Sequence, residues 1–299
     1  MIALEGSESL QEKSKAYYVW NTVLASLIWG PSFIVNKIGL EYVDAFNFSF
    51  LRFLIASITI IPVAFSLGRI RLSLFKNKLI WLVGAFNAAG FLFQYLGMTY
   101  TTASKSSLLV NSSVIIVAIL SFLIFKEKFS NQKKLGVFAG FLGSALLATG
   151  GNLTGLMSGE LTGDILVFLA GVFWAFFMVS NKKMVSEETD LTEMTVCVMI
   201  ITAIVQLPFP FIFGTTNIMT MTWQGWGAIV FTGVFCSTVT YFLWSEGLKG
   251  ITVTTSAITL LLEIVWAMIL AFTLLGEGFT VVGSIGAILI MASIFLASK

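Results

Sequence analysis

Residues Gly97–Leu146 run parallel to Gly247–Leu296 without a gap, at a constant offset of 150 positions. Gly97 falls on Gly247, Thr102 on Thr252, Ser106 on Ser256, Glu127 on Glu277, Phe129 on Phe279 and Gly136 on Gly286. The front ends match too: Trp29, Asn36 and Lys37 fall on Trp174, Asn181 and Lys182 at an offset of 145, and Pro62 falls on Pro208 at 146. A chain that repeats itself in this way folds as two copies of one unit. If the unit crosses a membrane an odd number of times, the second copy inserts upside down. Two inverted copies facing each other build a pore that opens to each side in turn.

Composition supports the membrane. The chain is 57% hydrophobic and 11% charged, where a soluble domain carries about 25% charged residues. Mean hydropathy is +0.95. The 299 residues contain no long polar stretch, so 1–299 reads as a single integral membrane domain. The net charge of +2 is scattered among loops, and no nucleic-acid partner is expected. Histidine is absent, which removes the commonest metal ligand and proton shuttle and rules out a Ser-His-Asp triad. Cys197 and Cys236 lie in apolar runs and read as small buried hydrophobes. No Gly-rich phosphate loop, HExxH or Cys/His cluster is present, so neither cofactor nor metal is expected. Residues 1–15 mix Glu5, Glu8 and Glu12 with Lys13 and Lys15, unlike a secretory signal.

A bilayer core of about 30 Å takes roughly 20 apolar residues per helix. Runs of that kind occupy 18–38, 45–67, 78–98, 103–125, 133–151, 163–183, 191–213, 225–247, 252–274 and 279–298. The fold class expected is therefore all-α: a polytopic membrane protein of ten transmembrane helices, arranged as two inverted five-helix repeats (18–151 and 163–298) around a central cavity. Of the 17 basic residues, all but Lys37, Arg52 and Lys105 fall in segments on one side, with Arg69, Arg71 and Lys299 among them. The positive-inside rule then puts both termini in the cytoplasm of a cell (inner) membrane protein.

The duplicated five-span unit, the Trp29-Gly30 start of span 1, Arg52 in span 2, and the run Gly97-Met98-Thr99-Tyr100-Thr101-Thr102-Ala103-Ser104 leading to Glu127 together resemble the ten-span EamA-type branch of the drug/metabolite transporter superfamily. The resemblance covers nearly the whole chain. One departure is Asp44-Ala45, where the family often has a proline entering span 2. The resemblance implies secondary transport, often export, of amino acids, amines or other small metabolites, through a cavity between the halves.

Polar residues at bilayer depth are the candidate site. Glu263 lies near the middle of span 9, where a carboxylate costs about 2.5–3.5 kcal/mol on insertion scales. With Thr252, Ser256, Thr259 and Trp266 it forms a stripe of helical spacing, read as cavity lining. A carboxyl at that depth suits proton coupling or the binding of a cation. Glu263 falls on Ser113, so only one copy carries the charge. In spans 3 and 8, Asn87, Phe91 and Gln94 repeat as Ser237, Tyr241 and Trp244; aromatic faces hold apolar side chains or amines. Trp29 and Trp174 form a further repeated pair, and Asn111 is a mid-membrane amide. Gly30-Pro31 marks a kink in span 1. Arg52 either anchors to the outer interface or to backbone carbonyls at a helix end, or pairs with another side chain, Glu263 being one possible partner. Lys37 and Lys105 read as interface anchors. Gly136, Gly140, Gly143, Gly283 and Gly286 read as close packing between helices or protomers.

The reading is a secondary active transporter of a small metabolite, most simply an amino acid or amine, working by alternating access and driven by protons or another gradient, with Glu263 as coupling group. Its expected partners are that substrate and the lipid bilayer, as a monomer or homodimer. The rival readings are a lipid-linked sugar or polyisoprenoid translocase and a passive channel. An intramembrane enzyme would need a second acid or a nucleophile with a base beside Glu263, and no such pair is evident.

Overall fold

The computed structural model describes residues 13–68, 72–101, 103–152, 161–187, 189–275 and 280–298. Arg69, Arg71, Thr102, Glu277, Phe279 and Lys299, and the side chain of Lys105, lie outside them.

All regular structure among these residues is helical. The first repeat holds α1 (Lys15–Trp29), α2 (Ser32–Tyr42), α3 (Ala45–Ser66), α4 (Lys78–Met98), α5 (Ala103–Asn111), α6 (Ser113–Phe125) and α7 (Asn131–Thr149). The second holds α8 (Leu161–Ser186), α9 (Leu191–Gln206), α10 (Pro208–Phe213), α11 (Trp223–Gly233), a π-helical turn (Val234–Val239), α12 (Thr240–Gly250), α13 (Val253–Leu260), α14 (Leu262–Leu275) and α15 (Val281–Ser298). Among the described residues, nine helical stretches are long and apolar enough to cross a membrane. The remaining expected span corresponds to α7, 19 residues long, or about 28 Å at 1.5 Å per residue. Asn131, Gln132, Lys133 and Lys134 fill its first turn and three glycines its middle, which dilutes its hydropathy.

Several spans are broken. Span 1 parts into α1 and α2 at Gly30-Pro31, where proline has no N–H to donate. Spans 4 and 9 break at matching places: α5 meets α6 at Ser112, and α13 meets α14 at Leu261. Ser113 and Glu263, equivalent in the repeat, thus both open the second half of a broken helix. Discontinuous helices at corresponding positions of two repeats are where transporters of this architecture place their sites.

Hydrogen bonds show how the helix ends sort. On one face Lys15 at the start of α1 bonds the Ser298 carbonyl at the end of α15. On the same face Lys182 near the end of α8 donates to the carbonyls of Leu248 and Ile251, the latter at 3.0 Å, and Glu193 at the start of α9 accepts from Ser73 and the Leu74 N–H. On the opposite face Asp44, which N-caps α3, accepts from the N–H groups of Thr215 and Thr216, and Thr101 donates to Asp164 at the start of α8. The first repeat therefore starts on the face that holds both termini, and the second starts on the other. Packing follows the same two-fold relation. Helix α1 packs on α12 as α8 packs on α4; α1 meets α13 and α14 as α8 meets α5 and α6; α3 pairs with α9 and α7 with α15.

The α7–α15 pair is close because it is built from glycine. A Cβ on Gly143 would lie 2.8 Å from the Gly286 carbonyl oxygen, and one on Gly286 2.6 Å from that of Gly143. The glycine stripe is thus used within the chain, between the last helices of the two repeats.

Candidate functional site

A cavity lies between the repeats. Its free volume is about 90 Å³, room for several waters at about 10–15 Å³ each. Repeat one contributes Trp29, Ser32, Phe33, Asn36, Arg52, Phe91, Gln94, Val110, Asn111, Ser113 and Val114; repeat two contributes Trp174, Phe177, Met178, Trp244, Ala257, Leu260 and Glu263. Most of this wall is aromatic or aliphatic; among its polar groups are two sets, Glu263 with Ser113, and Arg52 with Asn36 and Gln94, termed its two poles.

One pole is Glu263, in the first turn of α14. Its carboxyl has no hydrogen-bond or ion-pair partner among the described residues, and its side chain is partly open to the cavity. Ser113, its equivalent, lines the same space. The backbone beside Glu263 is fixed by Gly30: a Cβ there would lie 2.7 Å from the Trp266 Cβ and 3.1 Å from the Glu263 carbonyl oxygen. The kink of span 1 therefore packs directly on α14.

The other pole belongs to repeat one. Arg52 is 1% exposed. Its Nε donates to Ser237 Oγ at 2.8 Å, Nη1 to the Tyr95 hydroxyl and Nη2 to the Cys236 carbonyl at 3.2 Å. Its guanidinium lies over the Phe91 ring, 4.2 Å from the centroid. Arg52 neither snorkels to the interface nor pairs with Glu263; of the alternatives read from the sequence, a backbone carbonyl, that of Cys236, is one of its partners, and no carboxylate pairs with it among the described residues. Tyr95 passes the chain on, its hydroxyl donating to Asn36 Oδ1 at 3.1 Å.

Of the residues expected to face the cavity, Glu263, Phe91, Gln94, Trp244, Asn111, Ser113, Trp29 and Trp174 line it. Asn87, Ser237, Tyr241, Ser256, Thr259 and Trp266 do not line it. Asn87 accepts from the Tyr241 hydroxyl at 2.6 Å and donates to Thr202. Ser237 holds Arg52, Ser256 accepts from Trp244 Nε1 at 2.8 Å, Thr259 bonds the Thr255 carbonyl, and Trp266 packs on Gly30. The reason is geometric. The stripe assumes straight helices, but the break at Leu261 interrupts the helical spacing between Thr259 and Glu263, and the π-helical turn over Val234–Val239 shifts the register between Ser237 and Tyr241. Neither distortion is marked by proline or glycine at its centre. Phe177 and Met178, unforeseen, sit one turn beyond Trp174 on the same face of α8. Lys37 is exposed, consistent with an interface anchor.

Toward the face bearing the termini, an aromatic cluster closes the cavity. Trp29 meets Tyr241 edge-on at 5.7 Å and Trp244 at 6.2 Å, and Phe177 meets Trp244 at 5.4 Å. Trp29 Nε1 donates to the Cys236 carbonyl at 2.7 Å. Beyond the cluster lies a wider vestibule of about 1020 Å³, lined by Tyr17 and Asn21 of α1, Lys182 and Ser186 of α8, and Glu246 and Lys249 of α12. Cavity and vestibule thus share three helices and are separated by their aromatic side chains.

On that same face Glu127, after α6, bonds Ser121 and Lys133 within repeat one and accepts from Thr254 of repeat two at 2.9 Å. Lys133 also donates to Thr252 at 2.7 Å. Burial alone would raise the Glu127 pKa, but the bonds from Lys133 and Ser121 outweigh it and hold the carboxyl below its ordinary range. The cluster is a charged latch between the repeats.

Comparison with known proteins matches this architecture. The model of the EamA-like transporter family fits residues 16–149 and again 161–299. An uncharacterized transporter of Archaeoglobus fulgidus is 31% identical over 277 residues, 92% of this chain and 95% of that protein. The uncharacterized transporter YyaM of Bacillus subtilis is 27% identical, over 91% of this chain and 90% of its own. A protein of known crystal structure superposes with a TM-score of 0.80 at 16% identity, covering 95% of this chain and 98% of its own, which speaks for the shared fold. With one match per repeat and relatives aligned nearly end to end, this multi-pass membrane protein belongs to the EamA-like transporter family.

Proposed function

We propose that this protein is a secondary active transporter that carries a small zwitterionic or cationic metabolite by alternating access, with Glu263 as its coupling or cation-binding group. The observation that carries the reading is the Glu263 carboxyl, without a hydrogen-bond partner among the described residues and facing a cavity between the repeats at the break of a helix. A carboxyl kept at that depth without a hydrogen bond is expensive. It is tolerable if a proton or a cargo amine occupies it for part of a cycle. The aromatic cluster separates the cavity from the vestibule on the termini face, which supports a central site closed from that face. The distribution of lysine and arginine makes the termini face cytoplasmic, and export is the direction the reading favours.

The test is transport in proteoliposomes under an imposed pH gradient. Glu263→Gln keeps the size of the side chain and removes its titration. The expected result is loss of gradient-driven accumulation, by about ten-fold or more, with counterflow of cargo between equal pH compartments partly retained. Unchanged accumulation and unchanged pH dependence would remove Glu263 from the coupling step.

A further inference from the structure

The donor pole of the cavity has unused capacity. A guanidinium carries five N–H donors, and Arg52 spends three of them on Ser237, Tyr95 and Cys236. All three partners are neutral, so the buried positive charge is solvated but not compensated by an anion among the described residues. Asn36 is fixed beside it. Because the Tyr95 hydroxyl accepts from Arg52 and donates to Asn36 Oδ1, the Asn36 amide must present its NH₂ elsewhere, and Asn36 lines the cavity. Gln94 lines it as well, one turn from Phe91, and its amide has no partner among the described residues. Three helices of repeat one, α2, α3 and α4, thus each offer a donor to the cavity, two of them linked through Tyr95, and one of the three is permanently charged.

We propose that Asn36, Arg52 and Gln94 form an oxyanion seat that binds the carboxylate of the cargo, with Arg52 as the residue that selects for it. Resting on the transport reading above, this narrows the cargo to compounds bearing a carboxylate and makes a simple amine a poor ligand. The seat and Glu263 come from opposite repeats and do not pair with each other. A zwitterion bound between them would bridge the two halves, and its departure would free them to move apart. Arginine suits the role because its planar fork matches a carboxylate, which an ammonium does not.

The test uses the purified full-length protein in detergent. Its melting temperature is followed against leucine, phenylalanine and threonine, each beside its own carboxamide, since a ligand of the native state raises the melting point by mass action. At least one free acid is expected to bind ten-fold or more tightly than its carboxamide. Arg52→Lys should lower that preference to a few-fold or less. Because Arg52 also ties α3 to the π-helical turn and its replacement can unfold the protein, Gln94→Met is the second variant. Gln94 bonds no other described side chain, and its loss should weaken the acid several-fold while leaving the carboxamide unchanged. The proposal is overturned if no acid binds, if acid and carboxamide bind alike, or if Gln94→Met weakens both equally. Acid-selective binding without counterflow in proteoliposomes would uphold the seat while sinking the transport reading.

Discussion

Tyr95 is the residue on which the donor pole turns. Fully buried among Phe48, Phe91 and Arg52, its hydroxyl is at once acceptor for a cation and donor to an amide. Tyr95→Phe would leave the Asn36 carbonyl and one Arg52 N–H each without a partner while disturbing no volume. Bonds to charged groups contribute about 1.5–3 kcal/mol, so a loss of stability of about 2 kcal/mol is expected in denaturation of the purified protein, together with weakened cargo binding. An unaltered melting temperature would show that this chain of bonds does not hold the pole in place. At this scale the sequence was legible where a residue was anomalous. A carboxylate within Leu260-Leu261-Leu262-Glu263-Ile264-Val265 and a cation within Phe50-Leu51-Arg52-Phe53-Leu54 both announce a site. What could not be read was the company they keep, because hydrogen bonds between α3 and a turn 185 positions away leave no local pattern.

Elements were legible in proportion to how strongly the bilayer dictates them. A 30 Å hydrocarbon core imposes its length on every span, and the repeat confirmed each boundary from its counterpart. The weak case is α7, read as an apolar run at 133–151 but less apolar than the others because of its polar first turn and its glycines. Breaks inside spans were half visible. Gly30-Pro31 and Leu207-Pro208 carry proline, whereas the breaks at Ser112 and Leu261 and the π-helical turn arise from tertiary packing. The contact between α7 and α15 offers a direct test of element packing. Gly143→Ala or Gly286→Ala would drive a Cβ to within 2.8 or 2.6 Å of a backbone oxygen of the facing helix. Overpacking of this kind costs about 1–3 kcal/mol, and a matching fall in melting temperature is expected for each. Gly227→Ala in α11 is the control, since nothing lies within 4 Å of its added carbon; there helix propensity predicts no loss and a gain of up to about 1 kcal/mol. Equal behaviour of all three would mean that α7 and α15 do not meet at these glycines.

For the whole molecule, the two halves make matching contacts, so on the proposed alternating-access mechanism asymmetric interactions would decide which side is closed. The Glu127–Lys133 latch is one such interaction. It ties the end of α6 to the start of α13 on the face holding the termini, and the position equivalent to Lys133 in repeat two is Gly283, so an identical ion pair cannot form there. Glu127→Gln would leave Lys133 facing Thr252 and Thr254 without its carboxylate. Losing a charged hydrogen bond of about 1.5–3 kcal/mol should shift the balance towards opening on this face about ten-fold or more. The measurement is labelling of Ala257→Cys, a cavity residue behind the aromatic cluster, by a membrane-impermeant maleimide applied to the termini face, in a background lacking Cys197 and Cys236. Acid should act in the same direction. Because the folded protein holds the Glu127 pKa below its ordinary range, the latch contributes fully above the ordinary carboxylate pKa of about 4.3. Its contribution fades only as pH falls through the lowered value. Labelling at neutral pH that is higher with Glu127→Gln than with Glu127 intact, both in the Ala257→Cys background, is the expected pattern. If the substitution leaves labelling unchanged, the aromatic cluster of Trp29, Phe177, Tyr241 and Trp244 closes this side without help from the latch.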